Sequence, residues 1–276
     1  MRKPISLWHP WLYRLRVAQR RWWTKHILWR SGRWQFATQR STENLPFRCY
    51  RHSSRLLRKL GATDMQLQHN KVINLNVAIP LIDGVLIHPG ETFSFCRLVG
   101  LPTRDRGFVE GLELSFGRAQ KGVGGGICQI ANMVHWLALH SPLQVTARSN
   151  HSFDPFPDEG RVLPFGTGAA IFYNFVDLKL FNPTENTFQF RLWLTEENLV
   201  GELRSLHALP VKYHVYQKAH AFRQEGGHVY RYNEIWRDAT EKQHNPKTES
   251  TFLYGNRVRV MYPVAAELMT SDTAQR

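Results

Sequence analysis

The sequence predicts an α+β fold: a mostly antiparallel sheet, a helix that follows a glycine-rich loop, and a basic helical arm at the N-terminus. Three observations carry this prediction. Ile127, Ile130, Val134 and Leu137 recur at intervals of three and four with no Gly or Pro between them, and Pro142 closes the run. Residues 143–148, 169–181, 188–195 and 211–217 alternate like half-buried strands, with Phe172, Phe175, Phe181, Phe188, Phe190, Leu192 and Leu194 suited to a pleated surface. The elements come in blocks, not in the regular strand–helix alternation of a parallel sheet.

Taken in order, residues 1–35 hold six of the nine tryptophans among Arg and Lys. Trp8, Trp11, Leu12, Leu15, Trp22 and Trp23 follow a roughly helical period, with Pro10 at or before the helix start. A helix is expected over about 51–60, ending at Gly61, and residues 70–78 fit helix or strand equally well. Asp83-Gly84 and Pro89-Gly90 are turn signals around a short β run, and the strand pattern resumes over 93–99. Residues 104–126 read as a polar loop with Gly107, Gly111, Gly117, Gly122 and Gly124 to Gly126, followed by the helix over 127–140. Residues 222–276 suggest a strand at 227–232, a short helix at 233–238, a strand at 256–262 and a frayed tail. The expected organisation is an arm over 1–60, a core over 61–220 and an extension over 221–276 packed on the core.

Charge supports that division. The net charge of +14 lies wholly in residues 1–60, with fifteen bases and the single acid Glu43, whereas residues 61–276 carry twenty-one of each sign. The arm suits an anionic membrane surface, touched by Trp8, Trp11, Arg20, Arg21, Trp22 and Trp23. Nucleic acid is a weaker use of the same patch, and a helix that packs its tryptophans on the body is the third reading. Cys49, Cys96 and Cys128 are too few and too widely spaced for a disulfide framework or a zinc site. Neither a signal-peptide core nor a run long enough to span a bilayer is visible. The expected location is therefore cytoplasmic, peripheral on the inner membrane face.

The chemistry concentrates in Gly122-Val123-Gly124-Gly125-Gly126-Ile127-Cys128-Gln129. A thiol in the first turn of a helix feels the positive end of the macrodipole, which favours the nucleophilic thiolate. Backbone N–H groups near Gly124, Gly125 and Gly126, with Gln129, are candidate oxyanion or ligand donors, and Arg148 a further ligand contact. His151 is the candidate base and Asp154 (or Asp158) its orienting group. The bland alternative makes Cys128 a small buried residue and the glycines a tight turn. His135 lies two turns along the helix from Cys128, about 10 Å, too far for a hydrogen bond, and His140 is further still. Five residues separate the two histidines, against the four of a helical metal pair. No Gly-Lys-Ser/Thr follows the glycines, which argues against a nucleotide site. Neither a metal nor a cofactor is expected. Cys96 reads as core, and Glu110 and Glu113 as solvated.

Residues 87–152 resemble the VanW family. The resemblance rests on Ile87-His88-Pro89-Gly90-Glu91-Thr92-Phe93-Ser94-Phe95, Val99-Gly100, Arg106-Gly107-Phe108, Gly122 to Gln129, and Arg148 with His151-Ser152. Asp177-Leu178-Lys179-Leu180-Phe181-Asn182-Pro183-Thr184 extends it. Two departures stand out: Cys96 where the family pattern has a polar residue such as Asn, and Ala131-Asn132 in place of small hydroxyl residues. The resemblance implies an accessory role in vancomycin resistance and cell-envelope metabolism, without a defined reaction. Two functions follow as expectations. One is a binding module that holds a cell-wall precursor at the glycine loop. The other is a cysteine-nucleophile acyltransferase or hydrolase acting on an amide or thioester.

Overall fold

The computed structural model describes residues 10–57, 64–115, 118–150, 153–154, 157 and 162–269. Four α-helices and fourteen strands are found among them, and the strands pair mostly antiparallel. The α+β expectation holds.

Helix α1 (Pro10–His26) begins at proline, whose fixed φ and missing N–H suit the first helical position. Strand β1 (Gln35–Phe36) runs parallel to β4 (Glu91–Ser94), which pairs with β9 (Lys179–Phe181), itself paired with β7 (Gln144–Ala147). A second sheet joins β2 (Phe47–Arg55), β11 (Asn198–Ser205), β10 (Phe188–Leu194) and β3 (Leu86–Ile87) in that order. The third carries three long antiparallel strands, β12 (Val211–Glu225), β13 (His228–Glu241) and β14 (Thr248–Val260), with β8 (Phe153–Asp154) parallel on its edge. Strands β5 (Glu110–Ser115) and β6 (Arg118–Val123) form a separate hairpin.

Helix α2 (Met65–Ala78) resolves the ambiguity of residues 70–78. Asp64 caps it by accepting a 2.9 Å hydrogen bond from the Gln66 amide. The short α3 (Phe95–Val99) is capped by Ser94, whose Oγ accepts from the Arg97 amide. Helix α4 (Cys128–Leu139) lies where the three-and-four period predicts it. Its Ile130, Val134 and Leu137 join Phe93, Phe95, Phe188 and Phe190 in the main core, while Trp136 and Leu139 pack against Val215 and Ile235 of the long sheet. Because α4 touches both layers, it fixes the C-terminal sheet to the core. The approach to β11 is close: a Cβ on Gly201 would lie 2.7 Å from Met133 Cγ.

Five local expectations are corrected. Residues 51–55, expected to be helical, belong to β2, whose backbone is fixed by pairing with β11. Over 93–99 the strand stops at Ser94, because the Ser94 cap starts α3. The polar loop over 104–126 contains the β5–β6 hairpin. Residues 169–178 are irregular apart from a Phe172–Val176 bridge, and only 179–181 pair as a strand. The helix expected at 233–238 is the middle of β13, held on both sides by β12 and β14. At 51–55 and 233–238 long-range pairing overrides a short local pattern.

A cavity beneath the glycine loop as candidate functional site

The glycine loop is tied down from below. Asn74 of α2 is fully buried, and its amide nitrogen donates to the carbonyls of Val109 (3.0 Å) and Gly125 (2.9 Å). Its Oδ1 accepts from the Val109 amide at 2.8 Å. One side chain thus joins the start of β5 to the glycine turn. Gly125 lies directly against Gly111, where a Cβ would come within 2.3 Å of the opposing backbone. Gly124 and Gly126 have φ of +81° and +94°, a region that disfavours other residues. The loop can therefore reach the mouth of α4 only with these glycines.

Cys128 opens α4, as the sequence predicts, and lines a cavity of about 560 Å³. The cavity is walled by the glycine turn, by Gln68 and Lys71 of α2, by Cys96, Val99 and Pro102, by Asn132 one turn beyond Cys128, and by Ile171 and Tyr173. Arg21 reaches it from α1, and Asp154, Phe165 and Val258 close it from the C-terminal side. Lys71 is buried; its stem crosses Gly126, where a Cβ would be 2.2 Å from Lys71 Cγ, and its Nζ donates to Gln68 Oε1 at 2.9 Å.

Burial pushes the Cys128 thiol up, and the Glu113 carboxylate adds to this, while backbone hydrogen bonds at Ile171 and at its own amide pull the other way. Burial thus opposes the thiolate that a helix terminus favours. Cys96 and Cys49 are also raised by burial, and Asp177 adds to the shift at Cys96.

The other predicted residues fall into four groups. Gly124, Gly125, Gly126 and Gln129 do line the cavity beside Cys128. The amides of Gly124, Gly125 and Gln129, however, are bonded to the carbonyls of Val109, Gly122 and Gly126. Gln129 Nε2 donates to Ser54 Oγ (2.9 Å) and the Arg55 carbonyl (3.0 Å), so its side-chain donor is committed to β2. Arg148 does not line the cavity. It braces one wall by donating to the carbonyls of Gly166 and Gly168, both at 2.8 Å, with its guanidinium 4.0 Å from the Tyr254 ring. Asp154 is buried and faces the long sheet: Arg231 Nη1 lies 3.3 Å from Oδ2, and Tyr262 donates to the same oxygen at 3.0 Å. His151 and Asp158 lie outside the described residues, as does Trp8.

His135 and His140 are buried in α4. Their Nδ1 atoms donate to the carbonyls of Thr167 and Trp136, and burial lowers them to about 3 and about 4. Both are neutral packing residues. Among the described residues, no three of His, Cys, Asp and Glu gather into a metal-binding cluster. Sequence reasoning missed Gln68, Lys71 and Asn74. Their spacing of three marks one helix face, and polar side chains on the buried face hid it.

A model of VanW-like proteins matches residues 70–204. Over 277 aligned residues the chain is 30% identical to the vancomycin B-type resistance protein VanW of Enterococcus faecalis, with 99% of each chain covered. The chain belongs to the VanW family. It is also 34% identical over 89 residues to the uncharacterized protein YoaR of Bacillus subtilis, across 32% of this chain and 29% of that one. No solved structure matches. The VanW-matched segment supplies the glycine turn, α4 and the strands beneath them. Arg21 and Val258, in contrast, come to the cavity from outside that segment. Cys96 and Asn132 also lie in the cavity wall.

Proposed function

We propose that this chain is an accessory protein in vancomycin resistance that binds a peptidoglycan precursor in the cavity beneath its glycine loop. The observation that carries this reading is the cavity itself. At about 560 Å³ it lies within the range of small-molecule sites. Its polar residues are spread over different walls: Arg21 and Lys71 bring positive charge that suits an anionic group, Glu113 and Asp154 bring negative charge, and Asn132 brings an amide. The whole-length similarity to a resistance protein supports the biological setting. The raised Cys128 thiol favours binding over nucleophilic catalysis, since a neutral thiol attacks poorly.

The test is titration calorimetry with a soluble nucleotide-linked muramyl peptide. Saturable binding that survives Cys128→Ser and is lost in Asn132→Leu supports the proposal. Alkylation of the folded protein addresses the enzyme alternative. Cys128 is expected to react more slowly at neutral pH than a free thiol, with its rate rising only above the ordinary cysteine range near 8.5. Selective, fast reaction at neutral pH would instead make Cys128 the nucleophile of an acyl-transfer or hydrolytic reaction.

A further inference from the structure

We infer that α1 docks on the surface of an anionic lipid bilayer through an outward stripe of Trp11, Leu15, Ala18 and Trp22. These residues recur at four, three and four, so they share one helical face. Trp11, Leu15 and Trp22 are 63%, 60% and 57% exposed. The opposite face meets the body. Thr24 is buried, Arg20 Nε donates to the Asn174 carbonyl at 3.2 Å and its guanidinium lies 5.0 Å from the Phe175 ring, and Arg21 stands over Tyr173. Asn174 Nδ2 donates back to the Arg21 carbonyl. The helix is therefore fixed in rotation, and its apolar stripe points outward by construction.

Charge identifies the occupant. Arg14 and Lys25 flank the stripe, neither has an acidic partner among the described residues, and no acid occurs before Glu43. An apolar centre with cations on its flanks matches the acyl boundary and anionic headgroups of a bilayer. A second copy of the same helix would bring cations against cations, and a nucleic acid would want the cations at the centre. Arg20 and Arg21, which the sequence groups with the membrane contacts, instead hold the helix to the body. Because Arg21 also lines the cavity, the docked bilayer lies about one helix diameter, roughly 10 Å, from the cavity wall. The inference rests on α1 alone and stands independently of what the cavity binds.

The experiment is co-flotation of the full chain with phosphatidylcholine vesicles and with phosphatidylcholine–phosphatidylglycerol vesicles, across a salt series. Binding is expected to the anionic vesicles and to weaken as salt rises. Arg14→Gln and Lys25→Gln should each lower partitioning about fivefold. The double variant Trp11→Ala, Trp22→Ala should lower it at least tenfold, while Phe252→Ala, an exposed aromatic on the long sheet, should leave it unchanged. The proposal is overturned if neither vesicle binds, if both bind equally, or if Phe252→Ala costs as much as the tryptophan pair. It is also overturned if light scattering finds a dimer that the tryptophan changes dissociate, or if duplex DNA binds and the vesicles do not.

Discussion

Helices α1 and α4 both carry apolar residues at helical spacing, yet they have opposite fates. Nine of the twelve residues of α4 are buried between two layers of the fold, whereas among the described side chains of α1 only Thr24 is buried. The difference lies in what surrounds the apolar residues. Helix α4 contains no charged residue on any face, so burial costs no desolvated charge. Helix α1 carries Arg14, Arg16, Arg20, Arg21 and Lys25 around its circumference, and only a surface location leaves them hydrated or beside headgroups. Apolar period thus locates a helix, and the placement of charge decides whether it is core.

The largest expected break of this contrast is acid. His135 and His140 are neutral in the fold with values near 3 and 4, while the unfolded chain titrates near 6.5. Above that pH both states are neutral and these groups add no pH dependence. As pH falls below it, the unfolded state takes up protons that the folded state refuses, so stability drops until the folded values are reached. The slope is about 1.4 kcal/mol per pH unit for each histidine, several kcal/mol in all. Urea midpoints at pH 7 and pH 5 measure it, and a flat profile would falsify the burial of both rings.

Leu137→Ala, at a fully buried α4 position, should cost about 3 kcal/mol in urea unfolding. A loss below about 1 kcal/mol would mean that α4 is not packed in the main core. Gly125→Ala should cost about 2 kcal/mol by forcing a methyl into the Gly111 backbone. The same variant should also open the cavity wall and weaken precursor binding more than Cys128→Ser does. The smallest effect is expected for Leu15→Ala, under about 0.5 kcal/mol in stability, with its consequence confined to vesicle partitioning. If that change unfolds the protein, α1 is packed and the contrast between the helices fails.

Much of this was legible in the sequence because it depends on local rules. Pro10 at a helix start, the three-and-four period of α4, the turn signals at Asp83-Gly84 and Pro89-Gly90, and the glycine–cysteine junction each report backbone preferences of a few adjacent residues. The concentration of positive charge in residues 1–60 was equally plain. The β structure of residues 51–55 and 233–238 was not, because strand identity there is decided by partners far along the chain.

By itself, then, the sequence determined the α+β class, the position of α4 with Cys128 in its first turn, and the basic, aromatic character of α1. Only the tertiary structure decided that Lys71 and Asn74 stand beneath the glycine turn, that Asp154 faces Arg231 and Tyr262, and that Gln129 spends its donor on β2. It also decided which face of α1 is free and that the Cys128 thiol is raised. The physical reason is the same in each case. Hydrogen-bond partners and desolvation are set by residues distant in sequence, and no local pattern encodes which of them will arrive.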